Sequence, residues 1–270
     1  MRVIVTRPAL QALPWVDRLR VLGVDAVALP LIDIAAAEDA APLAAAWQGL
    51  AGHALVMFVS ANAVVHFFAQ RPAGAAWPAG ALAGSTGPGT SAALLEAGVD
   101  ADCIAEPAAD APSFDSEALW ARLSEREWAG RRVLVVRGEH GRDWLADTLR
   151  AHGAQVEFVS AYRRLPPVPD ADGQALLAAA LAAPESHLWH FSSSEAVGRL
   201  AAMAATMMPA DGWRRSLALA SHPRIAEAAR ALGFGRVEQV AVQPEAVAAA
   251  AARLSAAQAA TGPPIQSPRP

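Results

Sequence analysis

Phe58-Val59-Ser60-Ala61-Asn62-Ala63-Val64 returns in the second half of the chain as Phe191-Ser192-Ser193-Ser194-Glu195-Ala196-Val197, with Phe, Ser, Ala and Val in register. Each copy closes an apolar, strand-compatible run (Leu55 to Val59; Leu188 to Phe191) and opens a segment with helical spacing. Ser60 and Ser193 therefore fall where a strand becomes a helix. The first N–H groups of a helix have no partner within it, and a serine at the cap adds a hydroxyl beside them, so the pair can hold an anion. Either serine alone reads as an ordinary N-cap. Its recurrence in register argues for a shared ligand role.

The segments downstream of the two copies match as well. After the first comes a short strand, Ala81 to Ser85, then Gly87-Pro88-Gly89-Thr90 and a helix closing at Gly98. After the second comes Leu217 to Ala220, then Ser221-His222-Pro223-Arg224 and a helix closing at Gly233. Proline in the first helical turn and glycine just past the last one punctuate both helices at the same spacing. A third strand follows in each half, at Cys103 to Glu106 and Val237 to Val242. The chain thus holds two copies of a strand-helix-strand-helix-strand unit.

Working outward, Arg2 to Thr6 reads as a buried parallel strand, followed by a helix from about Gln11 to Leu22 that Gly23 stops. Ala26 to Ile34 is too long and too interrupted by Pro30 for one core strand; it predicts a strand that leaves its sheet and becomes a connection. Gln155 to Arg164 mirrors it. Two extended crossings around the first copy predict an insertion. Residues 1–34 and 166–256 then form one discontinuous domain, 37–161 an inserted second domain, 34–37 and 161–166 the connector strands, and 257–270 a small, proline-rich disordered tail. In the inserted domain Arg131 to Val136 is a further strand, ending at Arg137, and a helix runs from about Asp143 to His152. Strands alternating with helices mean parallel sheets covered on both faces, with ligands at the carboxyl ends of the strands. Thr6, Ser60, Gly87, Arg137, Ser193 and Ser221 all fall at such ends.

Composition narrows the function. The 270 residues carry a net charge of −4, which argues against a nucleic-acid surface, and 54% of them are hydrophobic, ample for two cores. A single cysteine, Cys103, excludes an internal disulfide framework and fits a reducing cytoplasm. The first ten residues carry Arg7 and Pro8 and do not read as a signal peptide; no uncharged apolar run reaches membrane-spanning length. Gly87-Pro88-Gly89-Thr90 lacks the ending of a phosphate loop, and Gly233-Phe234-Gly235 precedes a strand where a dinucleotide fingerprint would follow one. His187 and His190, on one strand, point to opposite faces and cannot grip one metal. Neither Ser60 nor Ser193 lies in a nucleophile elbow, and Thr6-Arg7 stands where a phosphoacceptor domain would place acidic residues. The chemistry is expected to need no cofactor and no metal.

Val5-Thr6-Arg7-Pro8, Phe58 to Val64, Gly87-Pro88-Gly89-Thr90, Asp115-Ser116-Glu117-Ala118-Leu119, Leu134 to Gly138, Ala161-Tyr162-Arg163, Phe191 to Val197 and Ser221-His222-Pro223 occur in an order and spacing that resemble the uroporphyrinogen-III synthase family, over essentially residues 1–255. Val59 and Ile225 depart from it, standing where the family often has hydroxyl residues. The resemblance implies two duplicated, flavodoxin-like α/β domains on a two-stranded connector with the active site in the cleft between them. It also implies the reaction: cyclisation of the linear tetrapyrrole hydroxymethylbilane, with loss of water and inversion of the last ring, on the way to haem, sirohaem, cobalamin and chlorophyll. It further implies a cytoplasmic, cofactor-independent monomer whose substrate is handed over by the preceding enzyme, with no nucleic-acid or membrane partner.

Under that resemblance Tyr162, the chain's only tyrosine, is the candidate acid, since a phenol is protonated at neutral pH and can donate to a leaving hydroxyl. A tyrosine packed at a seam with its hydroxyl satisfied is the competing reading. Thr6, Arg7, Ser60, Ala61, Gly87, Thr90, Arg137, Ser193, Ser194 and Ser221 are the candidate substrate contacts, since a carboxylate-rich substrate on a net-negative chain must be held by local N–H groups, hydroxyls and arginines. The alternative function is a non-catalytic, two-domain cytoplasmic binding protein for an anionic small molecule.

Overall fold

The computed structural model describes residues 1–111, 113–139, 141–207 and 212–261, with side chains through Gln258. The chain opens with β1 (Arg2–Val5), α1 (Ala9–Val21) and β2 (Ala26–Ala28). It continues through β3 (Asp33–Ala36), α2 (Ala41–Gln48), β4 (Leu55–Phe58), α3 (Ala61–Phe68), β5 (Leu82–Ser85), α4 (Pro88–Glu96) and β6 (Ile104–Ala105). Then come α5 (Ser116–Leu123), β7 (Arg132–Gly138), α6 (Trp144–Ala151) and β8 (Gln155–Leu165). It closes with α7 (Ala171–Ala182), β9 (His187–Phe191), α8 (Ser194–Ala204), β10 (Leu217–Ala220), α9 (Pro223–Leu232), β11 (Arg236–Gln239) and α10 (Pro244–Thr261). Two compact units result, one from residues 1–33 with 165 onward and one from Ile34–Arg164.

The long run after Ala26 splits, as its length and Pro30 predict: β2 pairs in the first unit's sheet and β3 in the second's. The first sheet has the order β11-β10-β9-β1-β2, with every neighbouring pair parallel. Numbered within its unit this is 2-1-3-4-5, the flavodoxin-like order, whose switch point lies between β1 and β9. The second sheet is β3-β8-β7-β4-β5-β6. Leaving β3 aside, it has the same order if β7 is counted as the first strand, so the second unit is a circular permutation of the first. Its switch point lies between β7 and β4. The permutation explains why the repeated stretch heads the second unit but comes late in the first.

Strand alternation builds the cores. On β4, Val56 and Phe58 face Phe67, Leu94, Leu134 and Val136, while Leu55 and Met57 face Leu119, Leu149, Val133 and Val135. Both sets are buried, as a parallel sheet covered by helices on each side requires. In the first unit Val3, Val5, Leu188 and Leu219 pack under α1 and α10 through Ala12, Val16, Leu19, Val247 and Leu254.

Two expectations need correction. The third strands are shorter than expected at β6 and end earlier at β11, because only Ala83 and Gly84 find partners on β6, and past Gln239 the last bond to β10 is Val240 N–H donating to the Ala220 carbonyl. Helix α10 runs through Thr261, so residues 257–261 of the expected tail are helical, in keeping with their alanine-rich sequence. Residues 262–270 lie outside the described residues. No described helix is long and apolar enough to cross a membrane.

Candidate functional site

In the second unit the switch point presents hydroxyls. Ser60 is extended at φ −168° and caps α3, its Oγ accepting from Ala63 N–H at 3.2 Å. The same Oγ lies 3.1 Å from the Tyr162 hydroxyl, and Arg164 Nη2 donates to that hydroxyl at 3.4 Å. A serine hydroxyl has two acceptor sites and one hydrogen. Either hydroxyl of the pair can donate; when Tyr162 O–H donates to Ser60 alongside Ala63 N–H, Ser60 keeps its own hydrogen to offer outward.

Tyr162 reaches this place through an irregularity in β8. Up to Arg137 the register is regular, Arg137 opposite Ser160, but Gly138 stands opposite Tyr162, one residue further on. An extra residue in a strand turns the following side chain to the other face. Val156 and Phe158 pack on the side of α5 and α6, whereas Ala161 and Tyr162 together join the core under α3. Tyr162 is fully buried, with its ring stacked near His66 at 6.0 Å between centroids. Burial holds the His66 pKa below the usual imidazole value. Gly138 makes room for the phenol: a Cβ there would sit 3.1 Å from two ring carbons.

The first unit's switch point presents a cation. Thr6 is buried, its hydroxyl donating to the His190 carbonyl at 2.8 Å, which ties β1 to β9 at their carboxyl ends. Arg7 is next, with its guanidinium 4.1 Å from the centre of the Trp15 ring. Trp15 stacks on His190 at 4.9 Å and 19° between planes. Arg7 Nε and both ring nitrogens of His190 are buried with no hydrogen-bond partner. Burial lowers the Arg7 pKa to about 10. Burial first, and then the Arg7 charge, lower that of His190 to about 3. Alongside, Ser193 Oγ caps α8 by accepting from Glu195 N–H at 3.2 Å, and Ser221 N–H donates to the Phe191 carbonyl at 3.2 Å. Ser194 is exposed in the first turn of α8.

The remaining sequence candidates are placed differently. Ala61 is partly exposed and opens α3 beside Ser60. Gly87 heads α4 with no side-chain cap and packs against Phe114, while Thr90 is buried in that helix. Arg137 lies over the Phe158 ring at 4.1 Å and is paired with Asp143, so its charge already has a carboxylate. Ile225 is buried in the core, as an aliphatic residue there would be. Sequence reasoning missed Trp15, His66, Arg164 and His190. Only Arg164, two residues from Tyr162, carried a local signal; Trp15 and His66 reach their unit's switch point through the packing of α1 and of α3, and His190 from within β9. Among the described residues no cluster of three metal-ligating side chains occurs.

A family model described as Uroporphyrinogen-III synthase HemD matches residues 14–249. Uroporphyrinogen-III synthases of Salmonella typhimurium and Escherichia coli are 35% and 32% identical over 166 and 165 residues. Each alignment covers 61% of this chain and 65% of the relative, so the chain spans just under two thirds of those proteins. Among solved structures, a mutant uroporphyrinogen III synthase from Thermus thermophilus superposes with a TM-score of 0.59 at 19% identity, covering 95% of this chain and 99% of that one. The uroporphyrinogen-III synthetase of Helicobacter pylori superposes with a TM-score of 0.52 at 15% identity, covering 95% and 100%. These two show the shared fold of paired α/β units.

Proposed function

Since this chain belongs to the uroporphyrinogen-III synthase family, we propose that it closes hydroxymethylbilane to uroporphyrinogen III, with loss of water and inversion of the last pyrrole ring. The observation that carries this reading is the Tyr162–Ser60 hydroxyl pair at the second unit's switch point. Loss of hydroxide from the substrate is assisted by a proton donor at the leaving oxygen. Ser60 is the partly exposed member and meets that oxygen; Tyr162, buried behind it, replaces the proton that Ser60 gives up. Arg164 donates to the phenol oxygen and so turns the phenol hydrogen toward Ser60.

The substrate's carboxylates are held by Arg7, by the first turns of the helices that start at Ser60, Gly87 and Ser193, and by the Ser221 hydroxyl ahead of α9, since helix starts and hydroxyls favour anions. Thr6, Ala61, Thr90, Arg137 and Ser194 serve the site as its frame, with Thr6 locking the strand that carries Arg7 and Arg137 fixing its loop through Asp143. Ring inversion then depends on holding a curled cationic intermediate long enough to rearrange, a task of positioning.

The test is turnover with isomer analysis. The purified protein, given freshly prepared hydroxymethylbilane, is expected to yield the type III isomer. Closure without inversion would yield type I alone and would refute the assignment.

A further inference from the structure

The chain contains no lysine, so every basic side chain is an arginine. Arg2, Arg18, Arg132, Arg137, Arg142, Arg150, Arg163, Arg199, Arg215, Arg236 and Arg253 are each paired with an aspartate or glutamate. Arg20 and Arg71, which lack a carboxylate, donate to backbone carbonyls instead; among the described residues Arg7 alone carries a buried guanidinium nitrogen with no partner. No carboxylate among the described residues pairs with it, its Nε is buried without a partner, and its only ring contact is the face of Trp15. A buried charge ordinarily recruits a counter-ion, because desolvation is costly. A tryptophan face offsets part of that cost without neutralising the charge or occupying the guanidinium's N–H donors. On Trp15 in turn lies His190, fully buried, with both ring nitrogens unpartnered. An imidazole in that state carries no charge to repel Arg7 and no carboxylate to claim it.

We propose that Trp15, backed by the neutral His190, is a positioning residue that keeps Arg7 unpaired as the first unit's receptor for one carboxylate of the substrate. The inference rests on the proposed synthase function and deepens it. Thr6 fixes the strand end, Trp15 fixes the guanidinium plane, and the fork of N–H donors is left for a bidentate carboxylate. Such a contact is made equally by substrate and by transition state. Its loss therefore raises KM and leaves kcat in place.

The experiment compares Trp15→Leu, Trp15→Phe and Arg7→Gln with the unaltered protein, measuring kcat and KM for hydroxymethylbilane and the Kd of uroporphyrinogen III by titration calorimetry. Expected for Trp15→Leu is a rise of about tenfold in KM and in Kd, the size of a desolvated cation–π contact, with kcat within about twofold. Trp15→Phe, which keeps an aromatic face, recovers part of the loss; Arg7→Gln matches or exceeds Trp15→Leu. Equal KM and Kd in all proteins would overturn the proposal, as would Leu and Phe variants that behave alike. If Trp15→Leu fails to fold, Arg7→Gln decides by the same two constants. Failure of the unaltered protein to turn over would count against the function alone, because the Kd comparison among variants reads the carboxylate site without chemistry.

Discussion

The two switch points share one topology and differ in chemistry. In the first unit the strand end after β1 supplies a guanidinium resting on an aromatic face; in the second, the corresponding end of β7 supplies glycine, and the neighbouring strand fills the vacated space with a phenol. Both units place a serine at the head of the next helix, yet Ser193 only caps α8 whereas Ser60 also touches Tyr162. A duplicated scaffold repeats the place where a ligand can bind and leaves the side chains there free to diverge. On the proposed function, one unit holds charge and the other moves a proton.

The largest break in this contrast is expected from Tyr162→Phe. If the phenol feeds Ser60 its proton, kcat falls by about 100-fold to 1,000-fold, within the range of general acid catalysis. The melting temperature changes little, since the ring is kept. Turnover within about twofold of the parent, too small for acid catalysis, would return Tyr162 to a packing role.

A pH experiment probes the first unit. The folded-state pKa of His190 is depressed from 6.5 to about 3, so in the window between these values the unfolded chain takes up a proton that the folded chain refuses. Its contribution is fully present above 6.5 and is lost as the pH falls toward 3. The slope from this one group is about 1.4 kcal/mol per pH unit. Denaturant unfolding of His190→Phe at pH 7 and pH 4.5 is expected to show a loss on acidification smaller by about 2–3 kcal/mol than in the parent. An identical loss in both proteins would mean that His190 is protonated in the fold.

Gly138→Ala is a gentler test of the second unit. The new methyl meets the Tyr162 ring at 3.1 Å, so the ring must give way by a few tenths of an ångström. Overpacking of this kind costs about 1–3 kcal/mol of stability. Displacement of the phenol from Ser60 is expected to lower kcat by about tenfold, measured with stopped assays and a melting curve on the same sample.

The smallest effect is expected from the first unit's serine, Ser193, set beside its counterpart Ser60. Ser60→Ala removes a cap and the proton path, and should lower kcat as Tyr162→Phe does. Ser193→Ala removes a cap and one neutral hydrogen bond to substrate, and should raise KM by about 3-fold to 10-fold at unchanged kcat. Should the two variants lose kcat equally, the division of labour between the units fails.

The amino-acid sequence by itself determined the α/β class, the strand-to-helix junctions and the split of the long run after Ala26, because apolar periodicity, capping serines, Pro88, Pro223 and the closing glycines are local signals read over a few residues. It also marked the strand ends at which Thr6, Ser60, Gly87, Arg137, Ser193 and Ser221 stand. Tertiary structure alone decided which of these candidates keep free chemistry. Nothing near Arg137 in the sequence says that Asp143 takes its charge, and nothing near Arg7 says that Trp15 leaves it unpaired. The face of the sheet that Tyr162 occupies depended on the register slip opposite Gly138, a property of how β7 and β8 pair. Period-two alternation along β8 would have sent the phenol to the opposite side, with Val156 and Phe158, because side-chain direction in a strand is set by pairing register as well as by position.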